Sequence, residues 1–272
     1  MKSRGPKILT YAMLLLAILF FVLPVVWITL TSFKSQAEVF SYPPVFVPEH
    51  INLRHYAGVL SGAGGQALRD SFIVAGSNAL LSLVAGVPAA YAISRWRIGG
   101  QHFAMWILSI RMFPPVVSAI PLFLLFTNLQ LLDTYLGLII AYLTLNVPFV
   151  VWFMKSFFDD LPRDLEDAAL VDGANRWQAF VRVVVPLAIP AIVSSGLLAF
   201  VFAWNEFLLA LFLTRSAVKT LPIALSSLVG GHEILWGQIG ALAVMAILPV
   251  VLLVMLLQRY VVRGLSLGAV EG

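Results

Sequence analysis

Apolar residues fall into six long runs, at about 9–32, 71–94, 104–127, 135–157, 187–213 and 238–259, each bounded by charged or Pro- and Gly-rich sequence. About 20 apolar residues of α-helix cross a hydrocarbon layer roughly 30 Å thick. The pattern therefore predicts an all-α membrane protein with six transmembrane helices. The first run follows a basic head but exceeds a signal peptide's apolar region, and no small-residue cleavage site follows it, so it is expected to stay as the first span. The connection NLQLLDT is short and predicts that spans three and four form an antiparallel hairpin. Residues 34–69 are long and Pro/Gly-punctuated, as expected for a folded external cap. The loop at 214–236 can hold a re-entrant or interfacial piece.

Composition agrees with this pattern: 61% of the 272 residues are hydrophobic, 11% are charged, and mean hydropathy is +0.96. That is more apolar surface than one soluble core hides. The formal charge of +4 does not point to nucleic acid, because Lys and Arg sit at the ends of the apolar runs. With the N-terminus inside, the inner segments hold eleven Lys and Arg and the outer ones five, which predicts that both termini face the cytoplasm. Cysteine is absent, so disulfides, thiol chemistry and cysteine-ligated metals are excluded.

Enzyme signatures are missing as well. There is no G-x-x-x-x-G-K-[ST] to cradle a nucleotide and no G-x-S-x-G elbow. His232 and Glu233 lack the second His of a zinc-protease helix. His50, His55, His102 and His232 all fall in loops or at span edges and read as solvated or interfacial. Catalysis within this chain is not expected, and no metal site is.

Polar side chains inside a span are costly and are candidates for function. Arg111 either lines a translocation path or contacts carbonyls exposed by Pro114 and Pro115. Trp204, Asn205 and Glu206 are adjacent and cannot share one face, since helical neighbours lie about 100° apart. Trp204 packs or stacks on a sugar ring, while Asn205 and Glu206 face a polar path or bridge helices. Asn78 and Asn146 join helices or touch solute.

Residues 159–182 hold six of the thirteen acids against three arginines, a net −3 on the face that otherwise carries positive charge. Anionic lipid would repel such a loop, so a basic protein surface is its natural complement. Asp159 or Asp160 can cap a helix, with Pro162 in its first turn and Leu161, Leu165, Ala168 and Ala169 on one face. Gly173 suits its left-handed C-terminal cap. A second short helix can start near Asn175, with Trp177, Phe180, Val181 and Val184 on one side, before Pro186 and Pro190 bend or break the chain into span five.

The loop resembles the signature of ABC importer permeases: Glu-Ala-Ala, three residues, Gly, nine residues, Ile-x-Leu-Pro. Asp167, Ala168 and Ala169 stand at the triplet, Gly173 at the glycine, and Val183, Val185 and Pro186 at the close. MFPPVVSAIPLF (112–123), AWNEFLLALFLT (203–214) and RGLSLGAVEG (263–272) look like the carbohydrate branch, of the maltose-importer type. The resemblance implies a type I importer permease fold in the inner (cytoplasmic) membrane of a bacterium or archaeon, with segments 1–66, 67–260 and 261–272. It further implies a coupling helix at about 160–174 that docks on an ATPase, with either Glu166 or Asp167 as the ion-pairing acid. The tail carrying Gly264, Gly268 and Gly272 would reach the ATPase interface. Implied partners are a second homologous permease, two cytoplasmic ATP-binding subunits that hold ATP and Mg, and an extracytoplasmic solute-binding protein. The implied cargo is a sugar, oligosaccharide or related polyol; the alternatives are an ABC permease for a non-sugar solute such as glycerol phosphate and an ion-coupled secondary carrier, which would not need the loop at 159–186.

Overall fold

The computed structural model describes residues 5–100, 102–229 and 234–266, and among them the regular structure is entirely helical. In chain order the helices are α1 (Gly5–Thr31), α2 (Gln36–Val39), α3 (Arg54–Ser61), α4 (Ala63–Trp96), α5 (Phe103–Met112) and α6 (Pro115–Asn128). They continue with α7 (Tyr135–Asp160), α8 (Asp164–Val171), α9 (Arg176–Ala179), a π-helical turn at Phe180–Val184, and α10 (Val185–Trp204). The last are α11 (Leu208–Leu213), α12 (Leu221–Val229) and α13 (Trp236–Ser266). Two compact units emerge, one of residues up to Gln66 with Ala224–Leu248, the other of Ala67–Ile223 with Pro249 onward.

In the smaller unit, α1 leaves its apolar side chains exposed from Leu9 to Trp27, as suits a helix solvated by lipid. The segment after it is folded, as expected of a cap. Ser35 and Glu38 form a reciprocal capping box at α2, and Glu38 also accepts the Glu49 N–H at 3.0 Å. These backbone donors, Ser35 first and Glu49 second, hold the Glu38 carboxyl down at about 2.

The larger unit is built round α7, which packs against α5, α10 and α11 and buries Leu138, Tyr142, Val150, Met154 and Phe158. Among the described residues five helices are long and apolar enough to cross a membrane, and the pair α5 and α6 makes a sixth if it counts as one span. That pair departs from the single expected run at 104–127, because it bends by 88°. Pro114 and Pro115 supply no N–H, and Phe113 before them is held extended at ψ 127°. The fifth span also shifts. Helix runs from Arg176 to Trp204 and then breaks at Asn205–Phe207. Pro186 and Pro190 do not interrupt it: Pro186 stands in the first turn of α10, just after the π turn has already slipped the hydrogen-bond register.

Two aspartates fasten the connection after α11. Asp133, with its backbone in the left-handed region at φ 56°, accepts the N–H groups of Arg215, Ser216, Ala217 and Val218 at 2.8–3.1 Å. Asp70, fully buried at the start of the apolar part of α4, accepts the Lys219 N–H and the Tyr135 hydroxyl and pairs with Arg69. Burial by itself would raise the Asp133 carboxyl, but the four backbone donors outweigh it and hold it at about 2.

An Asp133 pKa below its unfolded value of about 3.9 stabilises the fold at neutral pH, and that contribution fades as pH falls from about 4 toward 2. Asp133→Asn should therefore cost about 2 kcal/mol, since an amide offers one acceptor oxygen where the carboxylate offers two. A thermal melt of the detergent-solubilised chain checks this, with a lower Tm at pH 7 and a shallower loss below pH 4 expected for the variant.

Candidate functional site

Two polar sites lie in the larger unit. The first is a cavity of about 210 Å³ lined by Arg111, Tyr142, Asn146, Phe202 and Glu206, beside Pro115. The bend between α5 and α6 and the break after α10 both open onto it, so the two departures from continuous helix are where the site is built. Interrupted helix at membrane depth is tolerated where it borders a polar cavity.

Arg111 sits against the rings of Phe149 and Phe202, at 5.0 and 4.3 Å from their centroids, and its Nη1 donates to Leu145 O at 3.1 Å. It thus lines the cavity and also contacts a backbone carbonyl, but that carbonyl belongs to α7, not to the turn exposed by Pro114 and Pro115. Glu206 accepts the Leu209 N–H at 3.1 Å and so caps α11, while its own carbonyl accepts the Tyr142 hydroxyl at 3.1 Å.

Asn146 bridges helices and borders the cavity at once. Its Nδ2 donates to Asn78 Oδ1 at 2.6 Å and to Ala199 O at 3.1 Å, while Asn78 Nδ2 donates to Ile139 O at 3.2 Å. This buried amide chain ties α4, α7 and α10 together. Asn78 stands behind the cavity wall. Trp204 is buried against Phe72 and Phe200, at 4.8 and 5.4 Å between centroids, and is absent from the lining. Asn205 is exposed and turns its amide back to Val201 O at 2.8 Å, ending α10.

The second site is the acidic loop. Asp159 and Asp160 do not cap its helix, because α7 continues to Asp160; Asp159 instead pairs with Lys155 and accepts the Ser94 hydroxyl at 2.6 Å. Helix α8 begins at Asp164 and carries Asp164, Glu166 and Asp167 in its first turn, where the helix dipole favours negative charge. Gly173, at φ +89°, ends it in a Schellman motif: Gly173 N–H reaches Leu170 O and Ala174 N–H reaches Ala169 O. Asn175 caps α9 in a box with Gln178.

Burial on α8 inverts the expected pattern. Leu165, Asp167, Ala168 and Val171 are exposed and Ala169 is half-buried, while the one buried residue of the helix is Glu166. Glu166 Oε1 accepts from Arg95 Nε at 2.5 Å, and its Oε2 accepts the Tyr91 hydroxyl at 2.7 Å. Arg95 and Tyr91 carry no mark of this role in the sequence, since nothing in their spacing points to a partner more than seventy residues away. Pro186 lies exposed at the start of α10. Gly264 falls within α13, and Gly268, Gly272, His232 and Glu233 lie outside the described residues.

Residues 82–267 match the family described as binding-protein-dependent transport system inner membrane component. The sulfoquinovosyl glycerol transport system permease protein of Agrobacterium fabrum is 37% identical over 252 residues, covering 92% of this chain and 88% of its own length. The trehalose transport system permease protein of Mycobacterium tuberculosis is 36% identical over 255 residues, 92% of each chain. The trehalose/maltose transport system permease protein of Thermococcus litoralis is 33% identical over 255 residues, 92% of this chain and 91% of that one. Among solved structures, a chain of a bacterial ABC transporter involved in the import of the acidic polysaccharide alginate superposes with a TM-score of 0.80 at 27% identity, covering 96% of this chain and 99% of that chain.

Gly173→Ala meets no neighbouring atom but forces a Cβ into left-handed backbone, at a cost of about 1 kcal/mol. Amide hydrogen exchange across 164–172 should accelerate about fivefold, a change that mass spectrometry of the detergent-solubilised chain reads directly.

Proposed function

The chain belongs to the family of binding-protein-dependent transport system inner membrane components, and from that premise we propose that it forms half of the import path for a sugar, oligosaccharide or related polyol. It is a multi-pass membrane subunit of an ATP-driven importer. A second, homologous permease completes the path, two ATP-binding subunits hydrolyse ATP with Mg on the side of α8, and a solute-binding protein delivers cargo to the opposite side. Both termini then face the ATPases. The exposed face of α8, with Asp167, Ala168 and Val171, docks in a groove of the ATPase, and Asp167 supplies the ion pair.

The observation that carries the solute reading is the cavity where Arg111, Asn146 and Glu206 meet between largely apolar helices. Hydroxyl-rich solutes need donors and acceptors close together beside an apolar or aromatic face, and Phe202 supplies that face. Its likeness to permeases of trehalose, trehalose/maltose and sulfoquinovosyl glycerol systems supports the same class.

An acidic glycoside or glycerol phosphate is the second reading, favoured by Arg111. Among the described residues its one hydrogen bond goes to Leu145 O, which leaves most of its N–H donors for an anion. Closure of the ATPase dimer would rock the helices between inward- and outward-open states.

The test is uptake into proteoliposomes holding the full importer with its binding protein, across neutral disaccharides, sulfonated or uronic glycosides and glycerol phosphate. ATP-dependent uptake of a glycoside, with Glu206→Gln raising the KM for uptake about tenfold, is the expected result, corresponding to about 1.4 kcal/mol. An equal loss in Arg111→Gln only for anionic cargo would assign the second reading. Uptake of none of these, with another solute class carried instead, would overturn both.

A further inference from the structure

We propose that Arg95, Glu166 and Tyr91 form a rigid strut that makes α4 and α8 move as one body, so that Glu166 positions the coupling helix and Asp167 is left to meet the ATPase. This rests on the importer reading above.

The geometry joins three pieces of chain at one guanidinium. Arg95 Nε donates to Glu166 on α8 at 2.5 Å, Nη1 to Phe158 O at 2.7 Å and Nη2 to Leu161 O at 3.1 Å. The two carbonyls lie at the end of α7 and at the residue that leaves it; Phe158 O also accepts the Leu161 N–H at 3.3 Å, and no further helical turn follows to supply more donors. Arg95 therefore caps α7 and holds α8 with the same planar fork, which a lysine could not reproduce.

Both charges are withdrawn from water, with side chains only 6% and 11% exposed. Separating such a pair leaves an uncompensated buried charge, so the contact resists opening. Tyr91, one turn earlier on α4, closes on the other carboxylate oxygen. Its ring lies 4.5 Å from Phe180 in the π turn and 5.7 Å from Phe158. A second stitch runs beside the first, through Ser94 to Asp159 and from Arg163 Nη2 to Ser94 O at 3.4 Å.

The strut gives the loop a lever. Asn78 lies seventeen residues before Arg95 on the same continuous helix, about 25 Å along its axis. There it accepts the hydrogen bond of Asn146, which borders the cavity. Displacing α8 through the strut therefore acts on the cavity wall by way of α4. Asp167, about 100° further round α8, is exposed and takes no part in the strut.

The experiment uses the complete importer in nanodiscs and reads ATPase-subunit stoichiometry together with the ratio of ATP hydrolysis with and without loaded binding protein. Glu166→Ala should keep the ATPase subunits bound while that ratio falls about fivefold or more, with a smaller fall for Tyr91→Phe. Asp167→Ala should instead shed ATPase subunits at low protein concentration. The chain has no cysteine, so Arg95→Cys with Glu166→Cys can be bridged selectively by a bis-methanethiosulfonate reagent and released by reductant. Bridging should restore the ratio and reduction should abolish it again.

Loss of ATPase subunits in Glu166→Ala with an unchanged ratio would overturn the strut, and so would arrest of hydrolysis on bridging, because either means that the contact docks or opens during the cycle. A wild-type complex without solute-dependent hydrolysis would overturn the importer reading, and the strut with it.

Discussion

A polar atom surrounded by hydrocarbon or packed helix has no water to fall back on, and leaving it unpaired costs several kcal/mol. Several of the polar groups buried in this chain's larger unit act accordingly as rivets. Asp70 and Asp133 gather the backbone of residues 215–219, the Asn78–Asn146 chain ties three helices, and Arg95 gathers Glu166 and two carbonyls. Apolar packing between such helices carries little directional information, since lipid tails are as apolar as leucine. The paired polar groups therefore fix which helix meets which, and at what height.

The same constraint explains where helix is allowed to fail. α5 and α6 part at two prolines, and α10 stops at Asn205, yet each break borders the cavity or is closed by a side chain. Glu206 takes the Leu209 amide in the first turn of α11, and the Tyr142 hydroxyl donates to the Glu206 carbonyl. Breaks that would be ruinous against lipid become the walls of a polar site. In a transporter this is also economical for motion, because short helices meeting at side-chain caps can be re-angled without melting a long hydrogen-bonded ladder.

How much was legible can be judged residue by residue. The end of α8 and the start of α9 were: Gly173 announces a left-handed cap by having no Cβ, and Asn175 announces a start by its side-chain acceptor, whereas the start of α8 was not, since Asp159 and Asp160 belong to α7. The stop at Asn205 was not, because WNEF holds no Pro or Gly and its apolar flanks continue the periodicity of a span. Asp133 looked like an ordinary loop acid, since its four donors lie more than eighty residues away. Glu166 and Asp167 were indistinguishable as neighbours in sequence, and only a partner on another helix separates a buried acid from an exposed one.

By itself the sequence determined the class of environment, the approximate spans, the C-terminal cap of α8, the N-terminal cap of α9, and the family signature carried by Asp167, Ala168, Ala169 and Gly173. These depend on hydrophobic run length, φ preference and contacts within a few residues, all of which are local. Tertiary structure alone decided that Arg111, Asn146 and Glu206 share one cavity, that Trp204 stands outside its lining, and that Glu166 is claimed by Arg95. Those outcomes depend on the relative rotation and height of helices far apart in the chain, and a side chain's periodicity says which face it lies on without saying what that face will meet.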